Sequence, residues 1–249
     1  MRYEIRAMSF AEILDAGFRL VRDHFVLLVG ISAALYVPAA LFQSAAESLA
    51  DAQSPGSLAL VGLLGVLVFA AVSPFVGVAI TFALGEVYLG REVGIGDAFR
   101  KGLPIVVPVL GTSLLALLAI VGASLLLLLP GIWVGLGLVL LSQVMVLEGR
   151  FGTAAMSRSF ELMKGQRLRA FGIFLVVFIL SGVLTFGVQL ALGFIPIVGP
   201  VGSGLVSAVS GTYASAVGVV LYFDIRCRTE AFEIEQLAAL VESGAAARP

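Results

Sequence analysis

One histidine, His24, and one cysteine, Cys227, bound the chemistry this chain can perform alone. A Ser-His-Asp triad needs an imidazole beside a hydroxyl, and an HExxH zinc site needs two histidines. A single cysteine provides neither an intrachain disulfide nor a multi-cysteine metal cluster. Gly94-Ile95-Gly96-Asp97 matches the GxGD string of intramembrane aspartyl proteases, with Tyr222-Phe223-Asp224 as a loose partner. That chemistry requires two aspartates facing each other in the membrane and sharing a proton. Asp97 instead sits among Arg91, Glu92, Arg100 and Lys101, where water reaches it, and suits the first turn of a short helix. Gly122-Ala123-Ser124 resembles a serine intramembrane protease in three letters but lacks a histidine base. No GxxxxGK[ST] loop occurs. These residues predict no enzyme: no catalytic residue, no cofactor and no metal ligand. His24, between Asp23 and Phe25, reads as a polar residue at a membrane surface or as a pH sensor.

Polar residues inside the apolar runs are few, and no charge lies in the middle of any of them. Gln143 and Gln189 are costly to leave unpaired in lipid, so both are expected to face other helices. Gly199, Ser203, Ser207, Gly211 and Ser215 recur every four residues, beside a second ridge of Gly204, Ala208, Thr212 and Ala216. Small residues at this spacing let helix backbones approach closely. The first ridge is either a packing face or a small-polar wall lining a solute or lipid path.

Charged residues gather at the ends of the runs. Three acids are each followed by an arginine: Glu86 with Arg91, Glu148 with Arg150, and Asp224 with Arg226. They read as one polar layer that gates or docks something, or as helix-end anchors whose long side chains reach the headgroups. Arg158, Lys164, Arg167 and Arg169 form a basic cluster suited to anionic lipid headgroups.

The elements that must position these groups follow from composition. The chain has 249 residues, of which 60% are hydrophobic and only 12% charged. The charged share is half the roughly 25% of a soluble domain. Lipid is therefore the main solvent. A net charge of −1 makes no case for nucleic-acid binding. A spanning helix needs about 20 apolar residues. The apolar blocks, divided at Leu129-Pro130-Gly131 and across 195–200, predict six helices at 25–46, 58–88, 103–128, 131–147, 170–194 and 198–224. Pro38 and Pro74 should kink the first two. All 15 basic residues fall in the N-terminal segment, the second and fourth loops or the C-terminal tail. That asymmetry predicts both termini in the cytoplasm.

Amphipathic segments precede the spans. Ser9 with Glu12 forms a capping-box pattern, and Phe10, Ile13, Leu14, Phe18 and Val21 form one apolar stripe. Similar segments cover 97–103 and 153–164, the latter closed by Gly165. The chain thus divides into three units, 9–90, 95–149 and 152–226, and a last amphipathic stretch at 229–241.

SFAEILDAGFRLVRDHF (9–25), LEGRFGTAAMSRSFELMKG (147–165), LYFDIRCRTEAFEIEQL (221–237) and LPGIW (129–133) carry a family resemblance. The sequence resembles the membrane domain attached to some bacterial glycerophosphoryl diester phosphodiesterases, which also occurs as stand-alone six-helix proteins. The resemblance implies a bacterial inner-membrane protein and no catalytic site, since the phosphodiesterase chemistry belongs to a separate soluble barrel. The expectation is an all-α polytopic bundle with amphipathic helices on its cytoplasmic face. Its expected partners are membrane lipids, an envelope protein or further copies of itself, and no nucleic acid. Its expected role is a lipid-associated scaffold; the competing role is a carrier of a lipid or small amphiphile.

Overall fold

The computed structural model describes residues 7–49, 54–88, 93–195 and 197–229. Arg91 and the expected amphipathic stretch beyond Thr229 lie outside them. Among the described residues every regular element is helical: α1 (Phe10–Asp23), α2 (Phe25–Leu49), α3 (Pro55–Tyr88), α4 (Ile95–Gly102), a 3₁₀ turn (Leu103–Ile105), α5 (Val106–Leu126), α6 (Leu128–Gly137), α7 (Leu141–Leu147), α8 (Gly152–Leu162), α9 (Arg167–Leu192) and α10 (Val198–Thr229). Six stretches are long and apolar enough to cross a bilayer: α2, α3, α4 with α5, α6 with α7, α9 and α10. The protein is a polytopic membrane protein with six candidate spans.

Helix boundaries depart from the expected ones for local reasons. The third apolar block breaks at Leu127, whose extended backbone caps α6, rather than at Pro130. Pro130 then falls in the first turn of α6, where its missing N–H costs nothing. The fourth span, expected to be continuous, is interrupted at residues 138–140. The Ser159 hydroxyl of α8 donates to the Gly137 carbonyl at 2.8 Å, satisfying an acceptor at that break. Gly165, at φ +78°, turns the chain between α8 and α9.

α1 begins with the capping box: the Ser9 N–H donates to Glu12 Oε2 at 2.6 Å, and the Glu12 N–H donates to Ser9 Oγ at 3.4 Å. Its buried ridge is Ile13, Gly17, Leu20 and Val21. Phe10 and Phe18, expected in that stripe, are exposed instead, Phe18 by 57%. The helix is rotated because Gly17 lies on α10, where a Cβ would come within 2.7 Å of Val217 Cγ2.

α10 is the axis of the bundle, and most of its buried residues lie between Ala216 and Ile225. Around that stretch gather Val76 to Leu84 of α3, Leu141 to Met145 of α7, Leu162 and Met163 at the end of α8, and Ile173 of α9. Most of the packed core sits at the end of the bundle that carries Asp224, Glu148 and Arg169, here called the charged end. Toward the other end the helices turn large apolar side chains outward, including Leu63 and Phe69 of α3, Leu125 of α5 and Phe186 of α9.

Candidate functional site

The charged end holds two ion clusters. Asp224, its side chain fully buried, is bound by Arg169 of α9 and by Arg228 one turn further along α10, at 3.1 Å. It also accepts the Met8 N–H at 2.6 Å. Arg169 and Arg228 both donate to the Met8 carbonyl as well. Asp224 therefore fixes the chain entering α1 to the end of α10. The GxGD reading loses its second aspartate, since both Asp224 oxygens are held by guanidinium groups. Asp97 is exposed in the first turn of α4.

Glu148 anchors the second cluster. Both of its oxygens accept from Arg158 Nε, at 3.2 and 3.0 Å, and Oε1 accepts from the Tyr222 hydroxyl at 3.0 Å. Arg226 donates to that hydroxyl at 3.1 Å. Arg150 lies 3.5 Å from Glu148 and is more than half exposed.

The structure sorts these acids and arginines into partners. Asp224 takes Arg228 and Arg169 rather than Arg226, because residues two apart on a helix point away from each other. Glu148 meets Arg150 at 3.5 Å and is held more closely by Arg158 at 3.0 Å. Glu86 is half-buried near the end of α3. Of the four expected headgroup contacts, Arg158 and Arg169 are drawn inward, with side chains 14% and 21% exposed. Arg167 stacks over Trp133 at 4.4 Å and Phe160 at 5.2 Å. Lys164 alone of the four is exposed.

The small-residue ridges of α10 meet other helices. Gly204 lies on Val37 of α2, where a Cβ would come within 2.8 Å of backbone, and Gly211 lies on the Tyr36 ring. Thr212 and Ser32 share a hydrogen bond of 2.7 Å, and Thr212 also donates to the Leu28 carbonyl at 3.3 Å. Gly199 sits against the Leu192 and Gly193 carbonyls that end α9, and Ser203 donates back to Gly199 at 2.9 Å. Ser207 and Ser215 are half-buried. Gln143 is buried against Gly218, as expected for a glutamine that must face a helix. Gln189 is exposed, because it lies in the last turn of α9 where the span ends.

The opposite side of α10 is open. A cleft of about 660 Å³ runs between α1, α9 and α10. Its walls are mainly apolar: Leu14, Phe18 and Val21 from α1, Leu180 and Leu184 from α9, and Val209 from α10. Asp15 and Arg22 of α1 also line it, with Ser210 and Tyr213 of α10. The Tyr213 hydroxyl donates to the Leu14 carbonyl at 3.1 Å and holds α1 over the cleft. Ser210 Oγ is buried with no hydrogen-bond partner among the described residues. Sequence reading missed Gly17, Leu180 and Tyr213. A glycine within the apolar side of an amphipathic helix was the available signal for Gly17, whereas Leu180 and Tyr213 matter only through their neighbours in space.

Among the described residues no group of three or more His, Cys, Asp or Glu could hold a metal. Comparison with protein-family models, with characterised proteins and with solved structures finds no match, so the resemblance drawn above rests on its four sequence segments alone.

Proposed function

We propose that this is a non-enzymatic integral membrane protein that holds a lipid of one leaflet in the cleft beneath α1, as a lipid-associated scaffold of a bacterial inner membrane. The observation that carries the reading is the cleft itself: apolar walls and a charged helix along one side. An amphiphile satisfies both, with its chain against Leu180, Leu184 and Val209 and its polar part near Asp15 and Arg22. The basic residues, all in the N-terminal segment, the second and fourth loops or the C-terminal tail, support placing the charged end and both termini in the cytoplasm. The carrier reading drew on the small-residue ridge of α10. On that ridge Gly211 lies on Tyr36 of α2 and Gly199 on the end of α9, and the adjacent Gly204 and Thr212 also meet α2, which favours packing over a path along that face.

Native mass spectrometry of the protein released from lipid nanodiscs tests the proposal. We expect retained phospholipid on the wild type and its loss in Ser210→Trp, which fills the cleft. Phe178→Trp, which adds bulk at an outward-facing position, should leave retention unchanged. Equal retention in all three proteins would overturn the reading.

A further inference from the structure

The cleft carries both signs of charge, and this bears on which lipid it takes. Asp15 and Arg22 line the same cavity and lie seven residues apart on α1, about 10.5 Å along its axis. Two turns of helix bring both onto one side. Each is now paired locally: Asp15 with Arg19 at 2.6 Å, and Arg22 with Asp23 at 2.9 Å. All but Asp23 have side chains more than half exposed, so these pairs are weak and readily exchanged.

Resting on the lipid-cleft reading above, we infer that the occupant is a zwitterionic phospholipid, its phosphate on Arg22 and its ammonium on Asp15. A phosphate and an ammonium joined by a short linker replace both local partners at no change in net charge. Phosphatidylglycerol would satisfy Arg22 with its phosphate, but its neutral glycerol headgroup brings no cation to Asp15. The apolar walls contributed by Leu180, Leu184 and Val209 take an acyl chain.

The test uses the full chain in nanodiscs of equal phosphatidylethanolamine and phosphatidylglycerol with matched acyl chains. Lipid retained on the released protein is identified by native mass spectrometry. The wild type should retain phosphatidylethanolamine over phosphatidylglycerol by about fivefold, the scale of one exposed ion pair. Asp15→Asn should bring the ratio close to one, and Asp15→Glu should restore it. Arg22→Gln should lower retention of both lipids. Equal retention, or a phosphatidylglycerol preference, in a wild type whose lipid is still expelled by Ser210→Trp would overturn the zwitterion assignment and leave the cleft reading standing. Retention indifferent to Ser210→Trp would overturn the cleft reading itself.

Discussion

The two ends of the bundle are built on different principles. At the charged end, Tyr222 and Met145 are fully buried, and Asp224 and Glu148 are enclosed by guanidinium and hydroxyl groups. Toward the other end, α9 and α5 carry mostly outward-facing apolar side chains, and contact is made through small residues such as Gly204 and Gly202. The solvent accounts for the difference. Where water surrounds a helix, burying apolar surface is favourable and a dense core forms. Where lipid surrounds it, tails are as apolar as leucine, so helices meet only where close backbone approach gives good packing. The cleft lies beside the junction of these regimes, where α1 crosses from the packed end onto α10.

Perturbations should therefore differ in size between the two ends. The largest effect is expected from Asp224→Asn. Removing that carboxylate charge leaves Arg169 and Arg228 without their buried counter-ion, a loss on the order of 3 kcal/mol. Thermal unfolding in detergent should fall accordingly, and α1 should lose its anchor at Met8. At the sparsely packed end, Gly204→Val should cost about 1–3 kcal/mol by pushing α2 away from α10. Val183→Ala, at a position 68% exposed on α9, should change stability by less than about 0.5 kcal/mol. If Val183→Ala proved as damaging as Gly204→Val, this region would be packed against something beyond lipid, and the contrast would fail.

The six spans were legible because long apolar runs and clustered basic residues are one-dimensional signals. The polar layer was legible in composition but not in pairing. Glu148 and Arg158 are ten residues apart, and Asp224 and Arg169 fifty-five, so only the fold brings them together. Arg228 was within reach of sequence reasoning, since it stands one turn from Asp224. The break at residues 138–140 was not, because the Ser159 hydroxyl that satisfies the Gly137 carbonyl comes from another helix. The cleft left only its α1 side in the sequence, as Phe18 and Leu14 beside Asp15 and Arg22. Its other walls depend on where α9 and α10 happen to diverge.

The most direct test of lipid in the cleft is photocrosslinking in the native membrane with a phospholipid whose acyl chain carries a diazirine. Peptides containing Leu180 to Leu184 of α9 and Val209 to Tyr213 of α10 should carry the dominant adducts, and Ser210→Trp should remove them. Adducts spread evenly over the outward faces of α5 and α9, unchanged by Ser210→Trp, would contradict the account.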